Sequence, residues 1–154
     1  MNHDYQFVTH WKIRGDCHEV FAILKDGANY ARWWQPAYQE SKLLSDKKVI
    51  SKVRAKLPYT LRFMTELVRE DPPWQLEIRV SGELVGTGLW TLSQHGPDTK
   101  IEFHWNVRAE KRLVRWFSPF LKPLFRWNHN WVMSTGEEAL QIEINKRNKK
   151  LTVG

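Results

Sequence analysis

Residues able to do chemistry are present in this sequence but scattered. Six histidines, His3, His10, His18, His95, His104 and His129, show none of the spacings that gather metal ligands. Cys17 stands alone, so neither a zinc site nor an internal disulfide is expected. No Gly-x-Ser-x-Gly, His-Glu-x-x-His or Gly-rich phosphate loop is present, and nothing in the chain asks for a cofactor. Polar residues set into an apolar helical stripe are more telling. Asn128 and Thr135 fall within about 20° of that stripe's centre, where a leucine would pack better. A buried amide needs partners, so Asn128 bonds a neighbouring sheet, holds a water, or points at a ligand's oxygen. His129 would be the natural acid/base if it turned inward, but its helical angle sets it on the stripe's flank. Tyr59, after Pro58 at a strand break, takes a rim position where its hydroxyl could serve as donor. Arg62, Glu66 and Arg79 could polarise a carbonyl, yet strand alternation puts them on the wet face beside Glu77 and Lys100, where cross-strand pairing is the expected role.

Two kinds of element must position these groups. Between Leu113 and about Lys146, steps of 100° gather Leu113, Phe117, Phe120, Leu121, Leu124, Trp127, Trp131, Val132, Ala139 and Ile142 into one stripe. Arg115, Lys122, Arg126, Asn130, Glu137 and Gln141 fall opposite. Ser118 before Pro119 is a helix start, and Pro123 should kink or restart the helix, leaving Leu124 to Arg147 uninterrupted. Upstream, Tyr5–Ile13 alternates as a strand. A short helix opens on Asp16 with Glu19 in a capping-box position, Asp26-Gly27 stops it, and Asn29 caps a second through Trp33 and Trp34. From Tyr38 the period becomes two. Strands are expected at Tyr38–Ser45, Val49–Leu57, Thr60–Glu70, Trp74–Glu83, Leu84–Gln94 and Thr99–Arg108. One apolar and one polar face along Trp74–Glu83 and Thr99–Arg108 is the signature of an antiparallel sheet covered on one side.

Composition bounds the rest. The 154 residues make one domain, with a basic tail from about 146. Thirteen per cent are aromatic, including nine Trp, which builds either a thick core or a lined cavity. The charge of +7, from 24 Lys and Arg against 17 Asp and Glu, is scattered rather than patterned apart from the tail. Nucleic acid is therefore not the expected partner, whereas peripheral contact with an anionic membrane is consistent with the balance. No run of about 18 apolar residues could span a membrane, and Met-Asn-His-Asp-Tyr opens no secretory signal, so a cytoplasmic setting is expected.

The order of strand, two short helices, about six or seven antiparallel strands and one long helix defines an α+β class in which the sheet curls around the helix. In that order, and in three stretches, the chain resembles the START-like, or helix-grip, superfamily that includes polyketide cyclases and aromatases. The stretches are Trp11 to Asp26 with Tyr30-Ala-Arg-Trp-Trp, then Gly86 to Leu92 with Thr99 to Trp105, then Asn128 to Leu140. They bear fold rather than reaction. The resemblance implies a helix-grip fold and a cavity for a hydrophobic small molecule between sheet and long helix.

Candidate walls for that cavity are Trp33, Trp34, Phe63, Trp90, Trp105, Trp127 and Trp131. Tyr59, Asn128 and Thr135 are candidate polar contacts. Gly86 and Gly88 share a strand face with Trp90, where they either open space or let the helix approach. The Trp33-Trp34 helix and the Leu57-Pro58-Tyr59 segment are candidate mouth elements. Three functions fit: a binder of a lipid, polyketide or quinone-like molecule; a cyclase or aromatase acting by shaping a reactive chain; and a lipid- or quinone-handling protein that docks on membrane through the basic tail.

Overall fold

The structure is a computed structural model that describes residues 4–54, 60–109 and 121–153. Strand β1 (Asp4–Arg14) leads into α1 (Cys17–Lys25), a 3-10 turn (Gly27–Asn29) and α2 (Tyr30–Trp33). Six strands follow: β2 (Tyr38–Ser45), β3 (Lys48–Arg54), β4 (Thr60–Asp71), β5 (Gln75–Gly82), β6 (Leu84–His95) and β7 (Asp98–Ala109). Helix α3 (Leu121–Val153) closes the chain. The seven strands form one antiparallel sheet in the order β1-β7-β6-β5-β4-β3-β2, the helix-grip arrangement. Among the described residues no helix is long and apolar enough to cross a membrane.

Local chemistry sets the element ends. The Asp16 carboxylate accepts the His18 backbone N–H at 2.7 Å and so caps α1. Asn29 precedes α2 but its side chain donates to Asp26 instead of capping. Pro123 is the third residue of α3, within the first turn, where a missing N–H costs no helical bond. The expected break there does not occur, and α3 continues through the basic tail to Val153. Leu113, Phe117, Ser118, Pro119 and Phe120 lie outside the described residues.

The buried face of α3 differs from the apolar stripe read from the sequence. Trp127 and Ile142 are exposed, at 45% and 55%, while Asn128, Val132, Met133, Gly136, Leu140, Glu143 and Ile144 are buried. The helix has turned so that Gly136 meets two indoles. A Cβ on Gly136 would stand 2.5 Å from the Trp34 ring and 2.8 Å from Trp11. Trp34 in turn donates its Nε1–H to the Val132 carbonyl at 3.0 Å. Glu137 and Gln141 are not simply solvent-facing either. The Glu137 carboxylate accepts the Lys12 N–H at 2.9 Å, and Gln141 exchanges bonds of 2.8 and 3.0 Å with the Arg14 backbone. These side chains satisfy the free edge of β1, an edge that would otherwise template foreign strands.

The opposite edge is covered for half its length. The 3-10 turn and α2 lie along the start of β2, where the Ala31 N–H donates to Ser41 Oγ at 3.1 Å. Beneath α3 an aromatic core links Trp11 to Trp34 and Trp90, and Trp90 stacks on Phe103 at 3.9 Å.

Candidate functional site

Between the concave sheet face and α3 lies a cavity of about 130 Å³. Strands β1 and β3 to β7 supply its floor, including Phe7, Val53, Phe63, Ile78, Trp90, Phe103 and Trp105. The α3 residues Asn128, His129, Val132 and Met133 roof it, and Tyr30, Trp34 and Tyr38 close one side. At one end it reaches the exposed side chains of Lys25 and Lys47, beside Gly27 and Val49.

The interior is uncharged. Tyr5, Tyr30 and Tyr38 line it, and burial pushes each phenol above its usual range, so all three stay protonated donors at physiological pH. Tyr30 donates to the Leu24 carbonyl. His129 stacks on Phe7 at 4.2 Å and sets its Nε2 3.3 Å from Thr9 Oγ1. Burial pulls its pKa down to about 4, which leaves a neutral imidazole at pH 7. Ser51 is 3% exposed and Tyr38 half-buried, both along the cavity wall. Among the described residues neither hydroxyl has a hydrogen-bond partner. Both groups come from local strand pattern: Ser51 sits between the inward-facing Val49 and Val53, and Tyr38 is paired across from Val53.

Of the residues singled out in the sequence, Trp34, Phe63, Trp90, Trp105 and Asn128 line this cavity. Others take different places. Trp33 stacks behind Trp34 at 5.3 Å with its Nε1 buried and unpartnered among the described residues. Trp127 faces outward, and Trp131 packs half-buried against the core beyond the wall. Thr135 donates its hydroxyl to the Val132 carbonyl at 2.8 Å, which satisfies it within the helix. Gly86 and Gly88 neither open space nor admit the helix. A Cβ on Gly86 would meet the Asn106 carbonyl of β7 at 2.0 Å, and one on Gly88 would meet Ile78 at 2.9 Å and Phe103 at 3.2 Å. The glycine that admits the helix is Gly136. Tyr59 and the Leu57-Pro58-Tyr59 segment lie outside the described residues.

On the outer face Glu66 pairs with Arg79 at 3.3 Å and with Lys48 at 3.9 Å, the cross-strand role expected there. Asp16, Cys17 and His18 bring potential ligand atoms within 4.8 Å of one another, but the Asp16 carboxylate is the α1 cap and Cys17 is buried.

A family profile described as polyketide cyclase / dehydrase and lipid transport matches residues 6–138. No curated protein sequence matches the chain. Solved structures share the architecture at low identity. A conserved protein from Geobacillus kaustophilus aligns at TM-score 0.76 and 13% identity over 92% of this chain and 96% of its own. A START superfamily protein from Mycobacterium smegmatis aligns at 0.74 and 12%, over 92% and 97%. The Zhui aromatase/cyclase from Streptomyces sp. R1128 aligns at 0.75 and 15%, over 94% and 96%. At such identities the likeness is one of fold.

Proposed function

The chain belongs to the polyketide cyclase/dehydrase and lipid transport family, and on that premise we propose that it binds a hydrophobic, uncharged small molecule between sheet and α3. The observation that carries this reading is a largely apolar cavity that, away from its Lys25–Lys47 end, is lined by no charged side chain and presents the Ser51 and Tyr38 hydroxyls among its few polar groups. A ligand carbonyl or hydroxyl could bond these two groups, each such hydrogen bond contributing about 0.5–1.5 kcal/mol. The free volume of about 130 Å³ approaches the roughly 150 Å³ apolar cavity known to hold a benzene. One ring or a short aliphatic segment is therefore the part held here, and the rest of a lipid, quinone or polyketide would extend toward an end of the cavity.

A cyclase or aromatase reading would need an acid/base in the wall. His129 is the candidate, but an imidazole whose pKa lies near 4 is a poor base at pH 7. Its stacking on Phe7 suits a positioned hydrogen-bonding group better, so binding without chemistry is preferred.

Native mass spectrometry of the purified protein, followed by denaturing extraction, tests the reading. A co-purifying hydrophobic molecule is expected, and the double variant Tyr38→Phe, Ser51→Ala should retain less of it. A clean unliganded mass, with no thermal stabilisation by lipids, quinones or aromatic polyketides, would sink the idea. A ligand present at about 100 times its Kd should add about 2.7 kcal/mol, which such a screen would detect.

A further inference from the structure

We propose that the β2–β3 hairpin docks on an anionic bilayer and sets the Lys25–Lys47 end of the cavity against the lipid. Leu43 and Leu44 stand side by side near the hairpin tip, 54% and 58% exposed, and Ile50 on the neighbouring strand is 42% exposed opposite Lys42. An irregularity in register between Leu43 and Ser45 accompanies the placement of both leucines in solvent. Around them the charge is one-sided: from Tyr38 to Arg54 there are five basic residues (Lys42, Lys47, Lys48, Lys52, Arg54) against Glu40 and Asp46. Among the described residues Lys42, Lys47 and Lys52 form no ion pair, and Lys48 stands 3.9 Å from Glu66. Exposed leucines flanked along the hairpin by Lys42 and Lys47, with Lys52 farther off opposite Glu40, match a headgroup layer, where aliphatic tips enter the acyl boundary and ammonium groups meet lipid phosphates.

A second copy of the chain fits this surface less well. The 3-10 turn and α2 cover the first half of β2, leaving Lys42 to Ser45 as a short free edge. Pairing two such edges would bring their lysines together. The basic end of α3 is the rival membrane surface, with Lys146, Arg147 and Lys149 exposed, but the described part of that end carries no adjacent pair of exposed apolar side chains. The hairpin alone is continuous with the cavity, since Lys47 and Val49 belong to its lining. Docking stands on the leucines and lysines themselves; passage of a ligand between bilayer and cavity rests additionally on the binding function proposed above.

Co-sedimentation of the full chain with vesicles of phosphatidylcholine, with or without phosphatidylglycerol, is the test. Binding is expected to the anionic vesicles only and should weaken with salt. Lys42→Ser with Lys47→Ser should weaken it by about 25-fold, roughly fivefold for each lysine near an anionic surface. Leu43→Ser with Leu44→Ser should weaken it by at least about tenfold, from loss of apolar burial. Both pairs are exposed, so unchanged melting temperatures would confirm that the variants fold. Deleting Lys146 to Gly154 should leave binding intact. Equal binding to neutral vesicles would overturn the proposal, as would loss on tail deletion with the hairpin variants unaffected. So would a dimer in sedimentation equilibrium that the leucine variants dissociate. The vesicle readout needs no ligand, so an empty cavity would defeat the binding function while leaving docking to stand or fall on its own data.

Discussion

Replacing Gly136 by alanine tests how α3 is seated. In an unobstructed helix this change stabilises, by about 0.5–1 kcal/mol, because glycine loses more backbone entropy on folding. Here the new methyl would lie 2.5 Å from two atoms of the Trp34 ring and 2.8 Å from Trp11. Ordinary carbon contacts fall near 3.5–4.0 Å, so the helix must back away by roughly 1 Å. Trp34 cannot yield: it is 2% exposed, wedged between Trp11 and Trp33, and bonded through Nε1 to Val132 of the same helix. Overpacking of this kind costs about 1–3 kcal/mol. Retreat of the helix would also stretch the Glu137 and Gln141 bonds to the β1 edge. The cost exceeds the propensity gain, and a net loss of about 1–2 kcal/mol follows. At about 2–4 °C per kcal/mol for a domain of this size, the melting temperature should drop by about 2–8 °C. Thermal unfolding followed by near-ultraviolet circular dichroism reads both the transition and the indole environment. Ser134→Ala, at an exposed position of the same helix, is the control and should be close to neutral. A melting temperature for Gly136→Ala equal to or above that of the parent would refute the close approach of α3 to Trp34.

Two further perturbations concern ionisable groups. The folded-state pKa of His129, about 4, lies below its ordinary 6.5, so the unfolded chain takes up the proton first as pH falls. Stability is complete above pH 6.5 and declines between 6.5 and about 4, by up to roughly 3 kcal/mol. Urea unfolding of His129→Gln should show a correspondingly shallower loss over that interval, and an unchanged slope would assign the acid sensitivity elsewhere. Glu143 is buried, and its carboxylate is held below the usual range chiefly by hydrogen bonds of 2.7 and 3.2 Å from the Arg32 guanidinium. Arg32 is half in solvent, so Arg32→Met should cost only about 1–2 kcal/mol at neutral pH. That cost should fade as pH falls below the ordinary carboxylate range and Glu143 gains its proton, which denaturant titration at two pH values would detect.

The strands were legible from sequence because one face of each is apolar and the turns between them carry Gly, Pro and Asp. The alternation over Tyr38–Ser45 has the bounds of β2, and the other described strands match their alternating stretches within a few residues. The long helix was legible as an element but not in its orientation. Hydrophobic periodicity weights Trp127 and Ile142 heavily and gives no weight to Gly136 or Glu143, yet these two face inward together with Asn128, which its helical angle already sets in the stripe. Each does so for a tertiary reason: an amide at the cavity roof, a seat for two indoles, and a carboxylate matched to Arg32. The glycines of β6 misled for a related reason, since what each makes room for is a neighbouring strand or side chain known only after folding. Within the site, the aromatic walls at Trp34, Phe63, Trp90 and Trp105 followed from composition and alternation. Ser51 carried a usable signal, a hydroxyl between two inward valines, whereas nothing local marks Tyr38 or turns His129 toward the cavity.

The pairing of β1 with β7 also governs when this fold can come into being. Asp4 lies opposite Arg108 and Arg14 opposite Asp98, so the first strand waits for the last before it has a neighbour. Strands β2 to β7 meet in sequence, each with the one just made, and can assemble as successive local hairpins. Loop closure across some hundred residues comes late and is entropically expensive, which is the hallmark of slow, high-contact-order folding. Helix α3, whose Glu137 grips Lys12 across 125 positions, can take that seat only once β1 is in place. During synthesis the nascent sheet therefore exposes its concave aromatic face until the C-terminal fifth, which carries α3, has emerged, and that interval is when a chaperone or a premature ligand would find it open.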